Sequence, residues 1–116
     1  MSQIIIAVVD DMFFASKIRA VAEAVGAEIS FPRSKEAVIQ KVQETKPRLV
    51  IVDLHNQKID PNEIAKELSG IRLLGFFSHV QTELQQNALA AGFDQVIPRS
   101  VFARDLPTIL AADDTD

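Results

Sequence analysis

The stretch RLVIVDLHNQ, residues 48 to 57, strings together the apolar Leu49, Val50, Ile51 and Val52 and ends them, with no turn residue between, on Asp53. An apolar run without polar alternation reads as a strand covered on both faces, the condition of strands in parallel sheets. The charge then marks the place where the strand leaves the core. The same kind of run recurs as IIIAVV at 4 to 9, IRLLGFF at 71 to 77 and QVI at 95 to 97, with a more mixed AEISF at 27 to 31.

Helical patterns fill the gaps between these runs. Phe14, Ile18, Val21 and Val25 recur at helical spacing after Asp11, so they share one face of a helix that Gly26 can terminate. Ser34 can cap a second helix carrying Val38 and Val42, closed by Lys46 and Pro47. The segment DPNE at 60 to 63 sets Asp60 as cap, Pro61 at the first helical position and Glu63 where a capping box wants it. A fourth helix is expected over roughly 80 to 91, with Leu84, Ala88 and Ala91 on one face and Gly92 at its end, and a short fifth from near Ser100, disturbed by Pro107. Strand and helix alternate too closely for anything but βα repetition, which predicts one α/β domain over residues 1–116: a doubly wound, five-stranded parallel sheet with helices on both faces and a frayed acidic tail at 112–116.

Composition narrows the function. The 116 residues carry a formal net charge of −4, with basic residues scattered singly along the chain, so no nucleic-acid partner is expected. There is no cysteine, hence no disulfide framework and no thiolate chemistry. IIIAVV is too short to span a bilayer and lacks a basic flank and cleavage site, so no membrane association and a cytoplasmic location are expected.

Ligands of doubly wound sheets bind beyond the carboxyl ends of the strands, near the point where strand order reverses. Asp10 and Asp11 follow the first strand, Asp53 the third, Ser78 the fourth and Arg99 the fifth. Singly, each has an ordinary explanation as a helix cap or turn residue. Together, in the flavodoxin-like order 2-1-3-4-5, the three acids meet in one crevice, where a hard divalent cation such as Mg2+ would relieve their repulsion. Ser78 adds a hydroxyl and Arg99 a permanent positive charge, groups that stabilise phosphoryl oxygens, and Asp53 becomes the candidate nucleophile.

With VVDD at 8 to 11, LVIVDL at 49 to 54, FFS at 76 to 78 and AAGFDQVIPRS at 90 to 100, the chain resembles a response-regulator receiver domain over about residues 3 to 111. The resemblance implies a stand-alone signalling receiver with Asp53 as phosphoacceptor, phosphorylated by a sensor histidine kinase or phosphotransfer protein. Asp10 and Asp11 would then bind magnesium, aided by the backbone carbonyl of His55, and Ser78 would contact the bound phosphoryl group. Output would pass to a separate downstream protein, from a monomer or weak homodimer.

Four departures accompany the resemblance. Arg99 stands where the family has lysine, and its planar fork is not geometrically equivalent to an ammonium. The loop after Asp53 reads NQKIDP, so another loop shape is expected. Val96 replaces the aromatic switch residue, which weakens coupling between Asp53 and the outer surface of the fifth strand. His79, in place of a small residue, is either a neighbour of the phosphoryl pocket or an exposed turn histidine. Arg99, Val96 and the altered loop favour an alternative function, a phosphorylation-independent pseudo-receiver that acts as a protein-interaction module.

Met12 and Phe13 lie off the apolar face of the first helix, beside the acid pair, either as a contact patch or with one tucked under a loop. Neither a Gly-rich phosphate loop nor an Asp-x-Asp after the first strand is present, so no enzymatic activity is expected beyond phosphorylation and dephosphorylation of Asp53 itself.

Overall fold

A computed structural model describes residues 4–68, 70–78 and 82–111. Its strands are β1 (Ile4–Val8), β2 (Glu28–Ser30), β3 (Leu49–Asp53), β4 (Leu73–Phe77) and β5 (Gln95–Pro98). All pairings are parallel, and the order across the sheet is β2-β1-β3-β4-β5. The helices are α1 (Met12–Val25), α2 (Lys35–Thr45), α3 (Pro61–Glu67), α4 (Thr82–Ala91), α5 (Arg99–Arg104) and α6 (Leu106–Ala111).

The expected α/β fold is therefore present, with small shifts at the ends of elements. β3 includes Asp53 rather than stopping before it, and Ile71 and Arg72 precede β4. The fifth helix is two short pieces that meet at Asp105, two residues before Pro107. A proline there has no amide to donate and crowds the carbonyl four residues back, so an unbroken helix is disfavoured.

Local chemistry sets the helix starts. Asp11 accepts from the amides of Phe13 and Phe14, Ser34 from Ala37 and Asp60 from Asn62. α1 stops where Gly26 takes φ +79°, a conformation costly for residues with a Cβ. On α1 the buried face is Phe14, Ile18 and Ala22, with Val21 and Val25 at its margin.

Because strand side chains alternate between faces, the sheet divides the core in two. On one face α1, α5 and α6 cover Ile5, Ala7, Leu49, Ile51, Leu74 and Phe76. On the other α2, α3 and α4 cover Ile6, Val8, Val50, Val52, Leu73 and Phe77. Phe76 and Phe77 thus point to opposite layers, as their adjacency in a strand requires.

Arg48, just before β3, is only 7% exposed, and its Nη2 donates to the carbonyls of Ile109 (3.3 Å) and Leu110. A cation at a helix C-terminus satisfies carbonyls that lack an amide partner, so this side chain ties the end of α6 to the sheet. Arg48→Met should lower unfolding free energy by about 1.5–3 kcal/mol, the scale of a hydrogen bond to a charged group. Urea unfolding measures it, and a change within about 0.5 kcal/mol, typical of an uninvolved surface site, would remove Arg48 from this role.

Candidate functional site

Strand register brings the predicted residues to one edge of the sheet. Val8 lies opposite Val52, so Asp10 and Asp11 leave β1 just past the level of Asp53. Asp53 lies opposite Phe76, which puts Ser78 two residues beyond that level. Phe77 lies opposite Pro98, so Arg99 emerges beside Ser78. The edge is the carboxyl one, at the reversal between β1 and β3.

Asp53 is half-buried, and its Oδ1 accepts the amide of His55 at 2.9 Å. Burial pushes its carboxyl up from the ordinary range, against the His55 amide bond and the positive charge of Arg99, while the Asp11 charge adds to the rise. Among the described residues nothing bonds its Oδ2. Ser78 is exposed at the end of β4. Val96 is half-buried on β5, level with Gly75, and packs into the layer formed by α2, α3 and α4. His79 lies outside the described residues.

The other two acids are already engaged. Asp11 spends Oδ1 on capping α1 and holds Arg99 Nη2 at 3.4 Å through Oδ2. The Phe14 amide bond, with Arg99 and the Phe13 amide behind it, holds the Asp11 carboxyl below the ordinary range, overcoming the opposing effect of desolvation. Asp10, exposed, meets Lys58 Nζ at 3.3 Å.

Arg99 is fixed from a second side. Its guanidinium lies 4.0 Å from the centroid of Phe14, a cation–π contact. Phe14 meets Phe76 and Phe102 edge-on at 5.3 and 5.8 Å, and Phe76 stacks on Phe102 at 4.7 Å. An aromatic platform from α1, β4 and α5 therefore supports the arginine, and no ion pair joins Arg99 to Asp53 among the described residues.

Magnesium wants hard oxygen donors, and Asp10, Asp11, Asp53 and the His55 carbonyl supply them in kind. Their arrangement is a different matter: among the described residues no group of three or more acidic or histidine side chains is close enough to hold a metal ion. Seating one there means replacing Lys58 on Asp10 or Arg99 on Asp11.

Four contributors escaped the sequence reading. Asn56 shapes the loop after β3, its Oδ1 accepting the amides of Lys58 and Ile59, each at 2.9 Å. An asparagine in a polar loop is a signal for such a turn. Lys58, brought back over Asp10 by that turn, had no signal of its own, and neither had the pairing of Phe14 with Phe102. Gly75 admits Leu54 close to the sheet, where an added Cβ would come within 2.9 Å of Leu54 Cδ2.

No family model matches the sequence, and no curated protein sequence matches it. Solved structures do match. A response-regulator signal receiver domain from Bermanella marisrubri is 19% identical with a TM-score of 0.81, covering 95% of this chain and 96% of its own. A response regulator from Hahella chejuensis is 18% identical with a TM-score of 0.83, the match covering 95% and 93%. Chemotaxis protein CheY4 of Vibrio cholerae is 16% identical with a TM-score of 0.80, covering 95% and 97%. The chain thus has the receiver-domain fold over nearly its full length, at identities that establish the fold alone.

The shift at Asp53 has a sign. A carboxyl whose pKa is raised by folding binds its proton more tightly in the folded state, so ionising it costs stability; the cost sets in above the unfolded-state pKa and is complete above the folded one. Asp53→Asn should therefore raise the melting temperature at neutral pH, and the gain should vanish below about pH 4, the ordinary carboxylate range. Thermal unfolding from pH 3 to 8 checks it; a variant less stable than the parent at neutral pH would contradict it.

Proposed function

We propose that the protein is a signal receiver in which Asp53 accepts a phosphoryl group from the phosphohistidine of a sensor kinase or phosphotransfer partner. The observation that carries the reading is the placing of Asp53: the end of the central strand, one oxygen pinned by the His55 amide, and the charges of Asp11 and Arg99 within electrostatic reach.

In the proposed step Asp53 Oδ2 attacks phosphorus, the N–P bond of the donor breaks, and the donor's imidazole nitrogen keeps the electron pair and takes a proton. Such transfers depend on positioning and charge more than on covalent chemistry. The His55 amide orients the nucleophile, and Arg99 favours its ionised form. Ser78, one residue past the strand beside Asp53, donates its hydroxyl to a phosphoryl oxygen. Asp10, Asp11, Asp53 and the His55 carbonyl would hold magnesium once Lys58 and Arg99 give up the acids they now meet, and the ion would supply positive charge to the phosphoryl oxygens. The product carries added negative charge at the sheet edge, and its readout is a change in contacts with a downstream protein. No activity on another substrate is part of the proposal.

No described helix is long and apolar enough to cross a membrane; a cytoplasmic setting, where kinase and phosphate donors are available, accompanies the reading. Met12 and Phe13, 68% and 89% exposed beside the acid pair, fit the side on which a protein phosphodonor would dock.

One observation favours the pseudo-receiver. Lys58 and Arg99 already meet the charge of Asp10 and Asp11, so the edge is balanced without a metal. Incubation with magnesium and acetyl phosphate, followed by intact-mass measurement, separates the two. A gain of one phosphoryl mass that is lost in Asp53→Asn is the expected result. No gain, with acetyl phosphate or with a cognate kinase, would leave the interaction module as the function.

A further inference from the structure

Basic residues that are scattered in the sequence are gathered in the fold. Of the 12 lysines and arginines in a chain of net charge −4, Arg19, Arg33 and Lys58 line one cavity of about 120 Å3. It lies between α1, the segment that follows β2, and the loop that follows β3; it reaches Asp10, and Asp53 is not among the residues that line it. At ~30 Å3 per water molecule, it holds about four waters, the scale of a small oxyanion.

The cavity has the chemistry of an anion site. Arg19 and Arg33 have no carboxylate partner among the described residues, and Asp10 is the single acid in the lining, already facing Lys58. Arg19 is pre-positioned, its guanidinium 4.9 Å from the centroid of the Phe31 ring. Asn56 uses its side-chain oxygen within the loop, so the amide nitrogen remains as a donor, and Ser16 brings a hydroxyl. Two arginines that share one lining with no carboxylate partner repel unless an anion joins them, and arginine forks match phosphate oxygens two at a time.

We propose that this cavity binds a phosphate group, either as inorganic phosphate or as the terminal phosphate of a small phosphomonoester. The site is distinct from Asp53: it holds an anion through Arg19, Arg33 and Lys58 and needs neither phosphoryl transfer nor magnesium. Phosphate there competes with Asp10 for Lys58, and by linkage whatever frees Asp10 from Lys58 favours anion binding.

The test is an amide NMR titration of the full chain in the presence of EDTA at constant ionic strength, with inorganic phosphate in one arm and glycerol 3-phosphate in the other. Saturable shifts at Ser16, Arg19, Arg33 and Asn56 are expected. Stronger binding in the glycerol 3-phosphate arm assigns the site to a phosphomonoester, and stronger binding of inorganic phosphate assigns it to the free ion. Affinity should fall about tenfold or more in Arg19→Ala and in Arg33→Gln, the loss of one charge-assisted contact, and stay unchanged in Arg104→Ala, which lies on α5. Arg33 is an exposed loop residue, so that variant tests the site even where loss of the Arg19 contact with Phe31 perturbs folding. Binding that persists in Asp53→Asn separates this site from the phosphoacceptor. Shifts that do not saturate, or affinities that ignore both arginine variants, would overturn the proposal and leave the reading of Asp53 untouched.

Discussion

Three carboxylates leave neighbouring strands at one edge of this sheet, and their mutual repulsion is the constraint around which the edge is built. The protein meets that repulsion with its own side chains: Lys58 against Asp10, Arg99 against Asp11, and two backbone amides on the Asp11 cap. Asp53 accepts the His55 amide and feels the charges of His55 and Arg99, yet burial outweighs them and raises its proton affinity.

Arginine in place of lysine changes more than shape. A planar guanidinium can lie flat on a ring while it donates in its own plane, and Arg99 does both, over Phe14 and toward Asp11. A lysine ammonium has no such plane. The ring beneath is held by Phe76 from β4 and Phe102 from α5, so the position of the charge is set by core packing. Moving Arg99 toward Asp53 would break its contact with that platform or with Asp11.

The sequence made the fold legible because its signals agree. Unbroken apolar runs, caps at Asp11, Ser34 and Asp60, and stops at Gly26 and Gly92 each bear on the same βα repetition, and the strand ends then locate Asp10, Asp11, Asp53, Ser78 and Arg99 without further information. What it did not disclose depends on side chains meeting across long separations. Arg48 meets the end of α6, Lys58 returns to Asp10, and Arg19 and Arg33 turn toward one cavity; none of these pairings has a local pattern. Positive charge that is scattered in the sequence includes Arg19, Arg33 and Lys58, which share one lining only because α1 and two loops cross there.

The convergence itself is best tested by following the side-chain carboxyl of Asp53 by 13C NMR as pH is varied, in the parent protein and in Arg99→Ala. A group at a shared edge, buried and eased by a nearby guanidinium, should titrate above an ordinary aspartate in the parent and higher still once the guanidinium is gone. An Asp53 that titrates in the ordinary range and does not respond to the loss of Arg99 would mean that these charges do not share a site.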